Sequence, residues 1–485
     1  MIPGLLAQSI QPSNVTQTIR LAFDALLTPL GLLAGLSGAC LMILIVLRRD
    51  GAYIGGTIVI ICMTMMNQEN RYFDNTLILP LQKFRDFSKI ITFCVLVATA
   101  VNLALTVPNG RARRVSFLMV AFFAFQTMFL VRLMYTGDVA RAGLGWVSDL
   151  LLLLTFGIGF GKKLETDEDF ERYLTMFSVA SLVFIACNLV QLGLGYRYVI
   201  ASNRFMGISG NPQLSGYVCA VFILINTHRF GRLKLGAPMR WVYAISVGIL
   251  GLLLIWSGSR TAALCVTGGL LTYFRLRLGS FAMLVVVGGA FVLAAATMFS
   301  ESFEGIARFV SGENTREGVW LKLIDEFKSA PVFGTMNLRA DEVIGGAEST
   351  YLTTLSLMGI SGFIPLVVVI LAIFTLAART FAARWAGKVV PEQADLLLGF
   401  LAILMIGSVF EGFFLGILAF AIVWMYSVFG LGAFVLERLS MPLNESDAEH
   451  DDELDTDQLG DDVSRPFNDG EAGGAPSVDV ELDAR

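Results

Sequence analysis

The chain has 485 residues, of which 55% are hydrophobic and only 15% charged, against roughly 25% charged in an ordinary soluble domain. That balance excludes a water-soluble globular protein and points to a membrane-embedded one, so length alone sets no domain count. The net charge of −5 conceals two regions: beyond Met441 the chain carries about fifteen Asp and Glu against Arg465 and Arg485, and the remainder is net basic.

Residues 1–24 are expected to be an N-terminal extracytoplasmic segment. Residues 1–19 lack a basic start, and Gln, Ser, Thr and Asn interrupt any apolar core, so no signal peptide is expected. A bilayer-spanning helix needs about 20 apolar residues. Segments of that kind are predicted at 25–47, 51–66, 88–107, 115–135, 142–160, 173–195, 212–227, 241–256, 261–278, 281–300, 350–376, 394–410 and 412–435. Those at 51–66, 212–227 and 241–256 are short, and the boundary between the last two is open. Asn67, Pro108, Pro212 and Pro391 fall at segment ends, where helices stop or start. The predicted fold class is therefore all-α and polytopic, with 12–13 transmembrane helices: helices 1–10 over 25–300 and 11–13 over 350–436.

The one long polar interruption is 301–349. Within it, Asn314-Thr315-Arg316-Glu317 has the cap-x-x-Glu spacing of a helix start. Trp320, Leu323, Ile324 and Phe327 then repeat at i, i+3, i+4 and i+7, and Pro331 and Gly334 end the pattern. Such a helix is expected in the membrane interface, with Lys322, Asp325, Glu326 and Lys328 towards water. Residues 437–485 are expected to be an acidic disordered tail, either simply solvating or a docking tail.

Arg48-Arg49, Arg111/Arg113/Arg114, Lys162-Lys163, Arg229/Arg232/Lys234/Arg240, Arg275/Arg277 and Arg379/Arg384/Lys388 occupy every second connection, which the positive-inside rule makes cytoplasmic. The N-terminus and the 301–349 loop then lie outside and the tail inside. Arg204, Arg260, Arg316 and Glu348 fall on the outer face, and His228 and His450 on the inner one. An outer active site would have to use a carboxylate rather than histidine as its base. The six cysteines lie in apolar runs without C-x-x-C spacing, which supports neither disulfides nor zinc.

Three outer arginines sit in unusual company. Arg316 is in the first turn of the loop helix, where backbone N–H groups favour an anion. Arg260 lies in Trp256-Ser257-Gly258-Ser259-Arg260-Thr261, a break with almost no room for a loop. Arg204 opens the Gly-rich stretch Asn203 to Pro212, whose backbone amides also suit an anion. Each has a plainer reading as a side chain snorkelling to the headgroups; the three together on one face suggest a shared anionic ligand. Glu348 likewise has two readings, a general base or a carboxylate stabilising the helix that follows it.

These residues carry a family resemblance. Arg204 through Asn211-Pro212, Ser257-Gly258-Ser259-Arg260-Thr261-Ala262, Arg316 with Trp320, Pro331-Val332-Phe333-Gly334, Glu348-Ser349-x-Tyr351-Leu352 and Gly359-Ile360-x-Gly362-Phe363 resemble, in order, the motifs of the O-antigen ligase and O-antigen polymerase superfamily of bacterial envelope glycosyltransferases. The match is strongest over 200–365. The resemblance implies a GT-C-like, multi-pass protein of the bacterial inner membrane with its active site facing the periplasm. It implies a metal-independent transferase without cofactors, whose donor is an undecaprenyl-diphosphate-linked glycan and whose acceptor is a glycan or lipid-linked glycan. Membrane lipids are expected partners, nucleic acid is not, and a chain-length regulator or assembly partner is left open. Carried over, Arg204, Arg260 and Arg316 would grip the diphosphate through guanidinium forks, and Glu348 would activate the acceptor hydroxyl. Glu348-Ser349 stands where the ligases carry His-Asn, which favours a polymerase over a ligase transferring to lipid A core. A lipid-linked glycan flippase and a non-catalytic scaffold are the readings from other classes. A transporter would be expected to show repeats, paired broken helices or charges near the midplane, where only Arg132 and Asp149 are candidates.

Overall fold

The computed structural model describes residues 29–65, 77–107, 116–135, 139–195, 200–201, 204–278, 316–335 and 349–438. Among them the chain is almost wholly helical: α1 Pro29–Leu47, α2 Gly51–Met65, α3 Leu79–Thr106, α4 Phe117–Tyr135, α5 Val139–Lys163 and α6 Asp167–Gly193. After the two-residue strands β1 (Ile200–Ala201) and β2 (Arg204–Phe205) come α7 Pro212–Arg232, α8 Pro238–Ser257, α9 Arg260–Leu278, α10 Glu317–Ser329, α11 Thr350–Trp385, α12 Pro391–Phe410 and α13 Phe420–Arg438. Residues 1–24, the predicted span 281–300, Asn314-Thr315, Glu348, His450 and the acidic tail beyond Arg438 lie outside the described residues, while α13 takes in the first two residues of the predicted tail.

Eight of these helices, α3–α6, α8 and α11–α13, are long and apolar enough to cross a membrane. Large apolar side chains face outward along them, among them Leu105, Phe117, Leu252, Leu371 and Phe374. Water would not tolerate that display in contiguous patches, but lipid does. The remaining predicted spans show why composition alone is a partial guide. In α7, every residue from Leu214 to Asn226 is buried, because the helix runs between α6, α8, α9 and α12. Such a helix meets protein on all sides and can carry Asn226 and His228.

Polar residues inside apolar runs close off chain ends. Asn102 of α3 is fully buried; its amide nitrogen donates to Ile45 O (2.9 Å) and Arg48 O (2.7 Å), and its oxygen accepts Ala52 N (3.1 Å). One side chain thus satisfies groups that the end of α1 and the start of α2 would otherwise leave orphaned. Thr166 and Asp169 form a capping box at the start of α6. Residues Leu153–Gly159 of α5 form a π-turn that packs on α13. A Cβ on Gly430 would lie 2.5 Å from Phe156 O, so only glycine admits this approach.

Three predicted boundaries are corrected. The span placed at 88–107 begins at Leu79, extended by a more polar helical stretch containing Lys83, Arg85 and Asp86. The last span, placed at 412–435, begins at Phe420, because Glu411–Ala419 is irregular. The span at 350–376 runs to Trp385 and breaks at Gly359, whose φ of 62° and ψ of −159° are open only to glycine.

The bundle has two polar ends. α6, α7 and α12 each cross it once: Arg229 and Arg232 at the end of α7 meet Glu171 near the start of α6 and Glu392 at the start of α12. Lys163, Asp50, Arg172, Arg384 and Asp395 gather at that basic end. The opposite end holds β1–β2, the α8–α9 turn, α10 and the α12–α13 segment. The two are separated by the length of α12, about 30 Å for 20 residues.

Candidate active site

The α8–α9 turn is the floor of the loop end. Gly258, at φ 59°, terminates α8 in the left-handed region, its N–H donating to Ile255 O (3.0 Å). Ser259 then caps α9, accepting Ala262 N at 3.3 Å. Two serines and a glycine therefore turn the chain within three residues and leave Arg260 on the first turn of α9, half-buried. The turn presses on α7 at Gly216, where a Cβ would come within 2.8 Å of Ala262 Cβ.

Arg204 reaches this turn from β2. Its Nε donates to Ser257 O at 2.8 Å, while the neighbouring Phe205 stacks on Trp256 with ring centroids 5.9 Å apart. The chain from Met206 to Asn211 is pinned to fixed neighbours. Asn188 accepts Ile208 N (2.9 Å), Ser215 Oγ donates to Met206 O, and Asn211 caps α7 by accepting Gln213 N (2.8 Å). Gly207 is required here: at φ 58°, a Cβ would also lie 2.7 Å from Asn188 Oδ1.

Arg316 arrives from the other direction. It is the residue before α10 rather than inside its first turn, and its Nη2 donates to Glu411 Oε1 (2.6 Å) and Thr261 Oγ1 (3.0 Å). Its guanidinium lies over the Phe410 ring, 5.5 Å from the centroid. Thr261 Oγ1 in turn donates to Glu411 Oε1 (3.2 Å). The turn between Ser257 and Thr261 thus receives Arg204 at one end and Arg316 at the other, with Arg260 between them.

Glu411 is the residue that sequence reasoning passed over. Its peptide carbonyl accepts both Thr350 N (3.1 Å) and Thr350 Oγ1 (2.8 Å), which ties the end of α12 to the start of α11. Ser349 and Thr350 are buried there. The signal that could have found it is a lone carboxylate between two long apolar runs, a placement membrane proteins keep for sites or paired charges. Glu348 lies outside the described residues.

The Pro331–Gly334 motif has a mechanical place. It inserts at the break in α11: Ile360 N donates to Pro331 O (2.9 Å), Ser361 N to Val332 O (3.1 Å) and Thr335 N to Ser356 O (2.9 Å). Gly334 and Gly359 approach so closely that a Cβ on either would overlap the opposing backbone. Arg132 of α4 completes the joint, donating from Nε to Leu357 O (3.2 Å) and from Nη2 to Gly334 O (2.9 Å). Asp149, the other charge noted at depth, accepts a hydrogen bond from Tyr426 (3.0 Å). His228 belongs to the basic end, buried against Tyr273.

Among the described residues, no group of three or more His, Cys, Asp and Glu stands where it could hold a metal ion. What the Ser257–Thr261 turn gathers is guanidinium, hydroxyl and the Glu411 carboxylate, a set whose cations suit holding and neutralising an anion. Fold and composition define an all-α, multi-pass membrane protein. No protein-family model matches the chain, and no curated protein matches it.

Proposed function

We propose that this protein is a membrane glycosyltransferase that transfers or polymerises oligosaccharide units carried on undecaprenyl diphosphate at the periplasmic face of a bacterial inner membrane. The observation that supports this reading is the attachment of Arg204 and Arg316, which are remote in sequence, to the single turn that contains Arg260. Cationic forks on a fixed turn suit a diphosphate, whose charge grows as the glycosyl bond breaks, and preorganised donors stabilise that charge. Glu348, two residues before Thr350, would take the acceptor proton. The ligase alternative differs only in the acceptor.

A lipid-linked glycan flippase is the second reading, favoured by the break in α11, since transporters build sites from interrupted helices. Against it, the backbone groups named at this break are occupied by Pro331, Val332, Thr335 and Arg132 rather than left for cargo.

The test supplies purified protein with undecaprenyl-diphosphate oligosaccharide, with and without lipid A core, and separates the products by size. A ladder without core is expected, lost in Arg260→Ala and Glu348→Gln while both still insert. A single addition to core would make it a ligase, and undiminished polymer from both variants would remove the catalytic assignment.

A further inference from the structure

The carboxylate at the loop end is more deeply buried than the arginine it meets: the Glu411 side chain is 6% exposed and that of Arg316 18%. It accepts from Arg316 Nη2 at 2.6 Å and from Thr261 Oγ1 at 3.2 Å. Carboxylate and phosphate oxygens make the same kind of charge-assisted bond to a guanidinium. Glu411 Oε1 therefore takes the N–H that an incoming phosphate oxygen would take, and its charge opposes any anion brought beside it.

Glu411 is pinned at its backbone. Its carbonyl is held by both Thr350 N and Thr350 Oγ1, and its N–H by Gly407 O (3.0 Å). The guanidinium is the partner with rotamers to spare: it ends a long side chain on the residue before α10 and lies over the face of Phe410.

We infer that Glu411 is an internal counter-anion of the donor site: it holds Arg316 while the site is empty and yields it to the donor's diphosphate. This rests on the diphosphate reading above. Glu411 is a positioning residue, since it acts on the donor through Arg316. The consequence is unusual for a buried ion pair. Neutralising the carboxylate should strengthen ligand binding, whereas a residue that only supported the architecture would weaken it.

The experiment titrates inorganic pyrophosphate calorimetrically into the full-length chain in a phosphate-free maltoside detergent. Wild type should bind, Arg316→Ala should lose binding, and Glu411→Gln, which keeps the shape and one acceptor oxygen, should bind at least tenfold tighter. Binding by wild type with unchanged or weaker binding by Glu411→Gln overturns the counter-anion and leaves the diphosphate reading intact. No binding by wild type or variant at millimolar pyrophosphate overturns both. Glu411→Asp draws the charge back by one methylene and is expected to tighten binding by a smaller factor. It decides the question if Glu411→Gln is not recovered folded, unchanged or weaker binding again counting against the counter-anion.

Discussion

The two polar ends of the bundle use the same chemistry to different effect. At the basic end, arginine–carboxylate pairs form a chain: Arg172 meets Asp50 and Glu168, Arg229 and Arg232 share Glu171, and Arg232 also reaches Glu392. Most of these side chains are partly exposed, and neighbouring pairs share partners, so each of these contacts is replaceable; the separate pair of Arg384 with the buried Asp395 is the exception at this end. At the loop end, Glu411 is buried and Arg316 half-buried; their pair ties the starts of α9 and α11 to the residues flanking α10 and α12 through Thr261 and Thr350, and rests on neutral hydroxyls. Charges in water make weak, redundant ties; charges withdrawn from water make ties that are costly to break from one side.

Removing one partner measures that difference. The largest effect is expected for Glu411→Ala, which leaves the half-buried Arg316 without its counter-charge: a loss approaching about 3 kcal/mol, seen as a large fall in the thermal midpoint in detergent. A variant as stable as wild type would mean that the pair is solvated, and the contrast between the ends would collapse. Arg132→Ala is next. It removes two donors from backbone carbonyls at the α11 break and should cost about 1.5–3 kcal/mol. Proteolysis within 316–335 should rise with it, and an unaltered cleavage pattern would show that the joint holds without Arg132. Glu392→Ala should be the mildest, about 0–1 kcal/mol, because Arg232 keeps Glu171; a loss as large as that of Glu411→Ala would erase the distinction.

The sequence and the structure meet most closely where apolar length is the whole signal. α4, α5 and α6 follow from runs of the right length, since lipid demands such runs wherever a helix faces it. Continuity is not encoded that way. Residues 412–419 are as apolar as the helix after them, yet they are irregular, fastened by Gln126 donating to Phe414 O (3.0 Å) and by Thr350. The break at Gly359 left only a glycine as its sign, because what stabilises it comes from Pro331–Thr335 and from α4. The arginines were legible as oddities, charges at apolar boundaries. Glu411 showed only as a lone carboxylate between apolar runs, and its partner, 95 residues away, was not legible.

The plug at the α11 break has a metrical consequence. α10 is fastened at its start, through Arg316, and just past its end, through Pro331 to Thr335. Thirteen residues of helix between two such fixed points make a strut of about 20 Å. The reach of Arg316 is thus a ruler set by the number of residues: adding one would rotate the far end by about 100° and unseat either the clasp on α11 or the guanidinium from its carboxylate.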